Sequence, residues 1–291
     1  MTQENGPYES NGFEWRCEGA GEYSVLDHGY LKVKRTWGSD EEIIETARMS
    51  TDKGFLGWGP FCSKCGISML RLFDGIVTPA NYEHGDQKGC DHDAEKPGDE
   101  KLLRYLHEKG HSTPFEFAGL TIEVQAPLMV FREWHRHRVP FGYSEMSARY
   151  VQMPNLHYVP SVQRIIDSSR KSGNRQASGG GVLRIPGALE NHDDRETATE
   201  IRQLIRGEQQ RIYTLYEQLL SFGVSKEIAR LDTPVSRYSR MRATGNLRGW
   251  LGFLTLRMAP DAQFEIRMYA EALADVLRSV FPRTMALFDG K

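Results

Sequence analysis

Cysteine is scarce, with 4 in 291 residues, which is too few for a disulfide scaffold. Long apolar runs are missing too: none approaches the ~18 to 20 continuous residues needed to span a bilayer. No sign of charge dominates. Lys plus Arg is 37 and Asp plus Glu is 39, a net charge of -2. That excludes a global basic field for wrapping duplex nucleic acid and leaves room for a local basic pocket. The first ten residues, MTQENGPYES, lack the basic-then-apolar order of a signal peptide. What is present is 39% hydrophobic and 10% aromatic residues, enough for a sizeable core and incompatible with a fully disordered chain. A prior of roughly 150 residues per domain allows one large domain or two. The expectation is a cytoplasmic enzyme or binding protein, with no membrane or nucleic-acid partner.

Residues 1–22 are rich in Gly, Glu and Asn and are expected to be a flexible N-terminal segment. Residues 23–291 are expected to form a single catalytic domain. Tyr30 to Trp37 alternates in polarity and predicts a strand with one exposed face. Ser39-Asp40-Glu41-Glu42 reads as a capping box opening a helix that ends near Met49-Ser50. Residues 51–100 have no clear period and hold three of the cysteines, which marks an insertion. Asp99 is expected to cap a short helix that Gly110 stops. Leu120, Ile122, Val124 and Ala126 then predict a half-buried strand, followed after Pro127 by a helix-like run, LMVFREWHRHR. Residues 168–194 read as a mobile loop, with glycines at 179–181. A helix is expected over about 196–222, with Ile201, Leu204, Ile205, Ile212, Leu215 and Leu219 at helical spacing. Two more helices are expected in the C-terminal part. Strands and short helices come first and helices follow, an order that suggests α+β.

Chemistry concentrates in Arg132 to Tyr150, REWHRHRVPFGYSEMSARY. Four arginines there point to a bound anion, because guanidinium forks offer paired donors and a permanent charge. The competing reading is a solvated helix face. Ser144, Glu145 and Ser147 add short hydroxyls and a carboxylate, suited to reading a polar ring and a phosphate together. His111-Ser112-Thr113-Pro114-Phe115-Glu116 offers an imidazole, hydroxyls and a carboxylate at a turn. Asn246, Arg248 and Arg257 surround an apolar run; nine residues are 2.5 helical turns, so the two arginines face roughly opposite sides. No metal is expected at His135 and His137, which are two apart. Cys62 and Cys65, with Cys90 and His92 or His84, could complete a tetrahedral zinc site or remain unligated thiols.

RHR at 136–138 followed by SEMSARY at 144–150 resembles the signature of the flavin-dependent thymidylate synthases, the ThyX family. TARMS at 46–50, HSTPFE at 111–116, IAR at 228–230 and NLR…LR from 246 to 257 agree in order. The resemblance spans about residues 40–285. It implies a fold with a central antiparallel or mixed sheet flanked by helices and a helical C-terminal part, a homotetramer with active sites at subunit interfaces, FAD as cofactor, NADPH as its reductant, and methylenetetrahydrofolate as carbon donor to C5 of dUMP. Carried over by position, Ser50, His111, Thr113, Glu116, Arg136, His137, Arg138, Asn246 and Arg248 should contact FAD. Glu133, Arg136, Glu145, Ser147, Ala148, Arg149, Arg230 and Arg257 should line the nucleotide site. Arg257 and Ser147 fall at the reacting centre. Arg257 would stabilise charge developing on the uracil; Ser147 is read as a nucleotide contact, because no base is evidently placed to activate it.

The sequence departs from the family pattern in four places. The spacer from Arg138 to Ser147 holds eight residues (VPFGYSEM) where seven is common. Gly252 stands where many members have Asn or His, and Asp261 where His is usual. Ala148 replaces a frequent Gly. These changes motivate an alternative, a UMP-preferring C5 methylase of nucleoside secondary metabolism. A third reading is a non-catalytic nucleotide- or RNA-binding protein using the same arginines.

Overall fold

A computed structural model describes residues 15–19, 21–59, 61–62, 95–96, 98–169, 183 and 193–290. A six-stranded antiparallel sheet has the strand order β1-β2-β3-β6-β8-β7. Its strands are β1 (Trp15–Gly19), β2 (Glu22–Val25), β3 (Gly29–Trp37), β6 (Gly119–Pro127), β7 (Gly142–Glu145) and β8 (Tyr238–Asn246). A separate pair joins β4 (Phe61–Cys62) to β5 (Glu95–Lys96). The helices are α1 (Asp40–Arg48), α2 (Glu100–Glu108), α3 (Leu128–Trp134), α4 (Val162–Ser169) and α5 (Asp194–Ser221). After them come α6 (Lys226–Ala229), α7 (Leu247–Arg257), α8 (Phe264–Val280) and α9 (Pro282–Asp289). The α+β class and the central sheet match the expectation. Among the described residues no helix is long and apolar enough to cross a membrane.

The chain divides into two compact units. The first comprises Met1–Arg35, Thr121–Gly245 and Gly252–Ala274; the second comprises Thr36–Leu120, Asn246–Leu251 and Asp275–Lys291. In the first, the inward residues Ile122, Val124 and Ala126 of β6 are fully buried, as their alternation predicts. Trp134 packs against Phe253 at 4.8 Å between ring centroids and against Tyr269 at 6.2 Å. In the second, α1, α2 and α9 pack on one another around Ile43, Ile44, Leu103, Leu106 and Met285.

Local signals explain most boundaries. Ser39 accepts from the Glu42 amide at 3.2 Å and starts α1. Gly110 (φ 67°) and Gly223 (φ 82°) take the left-handed backbone that follows α2 and α5, where a side chain would be strained.

Several expectations are corrected. The sheet begins at Trp15, inside the segment expected to be loose, because β1 pairs with β2 across Trp15–Val25 to Gly19–Glu22. The helix-like run LMVFREWHRHR stops at Trp134. Pro140 cannot continue a helix and disfavours helical backbone at Val139, so residues 135–141 form tight turns instead. Asp99 occupies the N-cap position of α2, yet its carboxylate is used elsewhere, by Arg48 and by the amides of Leu56 (2.7 Å) and Gly57 (3.2 Å). The sequence reading omits β8 and α9. The 51–100 insertion lies mostly outside the described residues, as do residues 170–182 and 184–192 of the expected loop and the side chains of Cys62, Cys65, Cys90 and His92.

Candidate active site

A polar constellation built on Arg257 lies in the first unit. Arg257 ends α7, where a cation is favoured by the partial negative charge of the helix C-terminus. Its Nη1 donates to Glu133 Oε2 at 2.6 Å, and its Nη2 to the Glu133 backbone carbonyl at 3.0 Å. Its Nε donates to His137 Nε2 at 2.9 Å. Because that nitrogen accepts, the imidazole is neutral with its proton on Nδ1. Burial and the Arg257 charge push the His137 pKa down to about 4. Burial also raises the Glu133 carboxyl above its ordinary value, against the pull of Arg257 and with help from the charge of Glu265.

The RHR segment is held in place from below. Arg136 and His137 close i-to-i+3 turns onto Glu133 and Trp134 at 3.2 and 3.0 Å. The His137 ring lies edge-on to Phe253, centroids 4.9 Å apart. The Tyr143 hydroxyl donates to the His137 carbonyl at 2.6 Å, and its burial raises its pKa well above the ordinary phenol value. Arg136 and Arg138 are exposed. Neither has a side-chain partner among the described residues, so both keep their full sets of donors for an anion.

A second set gathers at the turn Ser147–Tyr150. Ala148 is buried with Met153, Tyr216 and Ala229, which presses this turn against α6. Consequently Arg149 reaches Glu227 at 3.4 Å, and Lys226 donates to the Tyr150 carbonyl at 3.1 Å. Arg230 caps α6, half-buried. Ser147 Oγ accepts from the Arg149 amide at 3.3 Å, and no described base approaches it. It therefore has no nucleophile geometry. Glu145 is exposed at the end of β7. Tyr143, Glu227 and Glu265 were missed from sequence. Glu227 lies three residues before Arg230, immediately ahead of the IAR block.

In the second unit, Arg248 donates through Nη1 to Glu116 Oε1. Asn246 Oδ1 accepts from the Gly249 amide at 3.0 Å and so caps α7, leaving its amide donors free of that bond. The exposed His111 ring stacks on Tyr105, centroids 5.5 Å apart. Thr113 is exposed at the start of the short 3-10 turn Thr113–Glu116. Ser50 is exposed on another such turn, its hydroxyl donating to the Ala47 carbonyl at 3.1 Å. Among these residues, Ser50, His111, Thr113, Glu116 and Arg248 are exposed to solvent. Among the described residues no cluster of three or more metal-ligating groups occurs.

Exposed guanidinium groups without a side-chain partner among the described residues, next in sequence to a half-buried arginine–carboxylate–imidazole cluster, make a site suited to an anionic ligand. Residues 32–283 match the family described as thymidylate synthase complementing protein, and the chain belongs to it. A flavin-dependent thymidylate synthase of Thermosipho africanus is 30% identical over 269 residues, covering 92% of this chain and 93% of that protein. Another, of Gluconobacter oxydans, is 29% identical and covers 92% of this chain and 72% of its own length. Among solved structures, a UMP/dUMP methylase from Streptomyces cacaoi bound with 5-Br dUMP aligns with a TM-score of 0.64. It is 26% identical and covers 90% of this chain and 95% of that one. The same methylase bound with 5-Br UMP aligns at 0.63. The protein is thus an enzyme of the flavin-dependent thymidylate synthase type, and the non-catalytic reading is set aside.

Proposed function

We propose that this enzyme methylates C5 of a uridine nucleotide, dUMP or UMP, taking carbon from methylenetetrahydrofolate and using FAD reduced by NADPH. The observation that carries the reading is the fixed Arg257 guanidinium, paired with membership of the family. C5 of uracil becomes nucleophilic when electron density moves into the ring, and density also builds on the ring oxygens and nitrogen. A cation already oriented beside those atoms stabilises that charge without reorganising. Trp134 and Phe253 back the Glu133–His137–Arg257 cluster with apolar surface, which strengthens its electrostatics.

Arg149 and Arg230, with Ser147 and the Ala148 backbone, suit the 5′-phosphate and its neighbours; Glu145 and Arg136 complete the nucleotide contacts. The residues also fit a flavin. Arg136 and Arg138 keep free donors for a pyrophosphate, and His111, Ser50, Thr113, Glu116, Asn246 and Arg248 present polar groups to solvent. When bound, the flavin supplies the hydride that turns the transferred methylene into a methyl group. We read the enzyme as a homotetramer, supported by apolar residues left exposed on α5 and α6, among them Leu204 and Ile228. Its location is read as cytoplasmic.

The UMP reading has its own support. The similar Streptomyces methylase is described as acting on both nucleotides and was solved with analogues of both. Tritium release from C5-labelled dUMP and UMP decides, with FAD, NADPH and methylenetetrahydrofolate supplied. Release from dUMP alone makes this a thymidylate synthase; strong release from UMP makes it a ribonucleotide methylase. Release from neither overturns the reading.

A further inference from the structure

Arg237 stands immediately before β8 and is only 1% exposed. A buried guanidinium normally needs a carboxylate beside it, because taking a charge out of water is costly. Burial lowers the Arg237 pKa, and among the described residues only Tyr213 and Tyr216 act against that. The charge lies over the rings of these two tyrosines, 5.4 and 5.2 Å from their centroids. Three positions apart on α5, the tyrosines share one helix face. The Arg237 backbone is fixed as well. It bridges to His157, flanked by bonds from the Tyr158 amide to the Ser236 carbonyl at 2.8 Å and from the Tyr238 amide to the Leu156 carbonyl at 3.0 Å.

Arg237 and its tyrosines meet three successive residues just beyond the Ser147–Tyr150 turn. Gln152 interacts with the Tyr213 hydroxyl. The Met153 amide donates to the Tyr216 hydroxyl at 3.3 Å. Arg237 Nη2 donates to the Pro154 carbonyl at 2.5 Å. Tyr216 also packs with Ala148, inside the turn itself. We propose that Arg237 is a positioning residue for this turn: it fixes the chain that follows Ser147 and Arg149, so that both are presented to the nucleotide. This rests on the function proposed above. Buried as it is, Arg237 does not itself meet the nucleotide. A turn held in advance loses less freedom when an anion docks on it, so the effect falls on nucleotide affinity. Folding and positioning can be separated here, because replacing a buried charge by an apolar chain of similar size is often neutral for stability.

The test compares Arg237→Met and Arg237→Lys, each alone and with Arg149→Ala. It reads kcat and KM with dUMP and UMP, nucleotide affinity by calorimetry, melting temperature, and amide hydrogen exchange over residues 147–154. Arg237→Met should raise KM and the dissociation constant about tenfold, with kcat within about twofold and the melting temperature little changed. Arg237→Lys keeps a cation over the rings and a donor for the Pro154 carbonyl, and should return affinity to within about threefold of the wild type. In the Arg149→Ala background, Arg237→Met should add less than about twofold. An unchanged KM, or equal losses in both backgrounds, overturns the proposal. A lowered melting temperature with affinity intact overturns it too, and makes the cluster a folding element alone. If Arg237→Met does not fold, Tyr216→Phe decides: it removes the acceptor of the Met153 amide and should raise KM about threefold. Should the wild-type enzyme turn over neither nucleotide, the functional reading fails separately. Faster exchange at Met153 and its neighbours in Arg237→Met then still supports the hold on the turn, and unchanged exchange overturns it.

Discussion

The Tyr143 hydroxyl donates to the backbone carbonyl of His137 at 2.6 Å, pinning the middle of the RHR turn to strand β7. A second acceptor, the Trp134 carbonyl, lies at 3.3 Å. Tyr143→Phe removes the donor and leaves a carbonyl with less satisfaction in a half-buried place. A loss of about 1–2 kcal/mol is expected. Because the turn carries Arg136, His137 and Arg138, weaker flavin binding should accompany it. Urea melts and flavin titration read the two effects. Unchanged flavin affinity with a lowered melt would mean that the bond serves folding alone.

How much of this was legible in the sequence depends on where each signal resides. The fully buried face of β6 and the cap at Ser39 are local patterns, and both appear as read. Strand β8 also alternates, with Met241 and Ala243 buried and Arg240, Arg242 and Thr244 exposed, but its charged, Gly-containing sequence hides the period. The composition of the site was visible as RHR and SEMSARY. Its wiring was not, because Glu133–Arg257 joins residues 124 positions apart. Asp99 shows the same limit: its position is that of a cap, and its partners come from chain folded back on it.

That carboxylate makes a stability prediction. Asp99 is fully buried and holds Arg48 Nε at 3.0 Å together with two backbone amides. Removing one member of a buried pair leaves the other charge uncompensated, so Asp99→Ala should cost about 3–5 kcal/mol. Asp99→Asn keeps acceptor geometry and should cost less. Equilibrium denaturation compares them. A near-neutral Asp99→Ala would show that water, not Asp99, satisfies those groups.

Acid should destabilise the protein through two histidines. Burial and neighbouring arginines push His137 and His157 down to about 4, below the ordinary 6.5. Between those values the unfolded chain binds protons that the folded chain does not. Stability is therefore fully present above about pH 6.5 and falls as pH drops toward 4. His157 is buried, and its Nε2 has no hydrogen-bond partner among the described residues. His157→Gln should therefore shrink the difference in melting temperature between pH 7 and pH 5. An unchanged difference would place the acid sensitivity elsewhere.

Arg149 separates binding from folding. Its pairing with Glu227 at 3.4 Å is between half-exposed side chains, so the ion pair contributes at most about 1 kcal/mol. Arg149→Ala should leave the melting temperature nearly unchanged. If the arginine meets the nucleotide phosphate, KM for the nucleotide should rise on the order of tenfold or more, the scale of a lost charge-assisted bond. Steady-state kinetics with dUMP and UMP make the comparison, and an unaltered KM would remove Arg149 from the phosphate site.

The apolar side of α5 argues for assembly. Leu204 and Leu215 are 64% and 37% exposed in the single chain. Eleven residues apart, they lie almost on one line of the helix, since eleven residues are close to three full turns. Helical spacing predicts a buried stripe, and here part of that stripe has no cover from its own chain. Single exposed leucines are ordinary; two aligned on one helix, with Ile228 (53%) and Leu231 (73%) also exposed later in the chain, suit a subunit interface. Replacing Leu204 and Leu215 together with Glu adds two charges to that line without disturbing a core. If this line lies in the interface of the proposed homotetramer, sedimentation should then show a smaller species than the wild type, with weaker flavin binding. A variant that sediments as the wild type would remove α5 from any such interface.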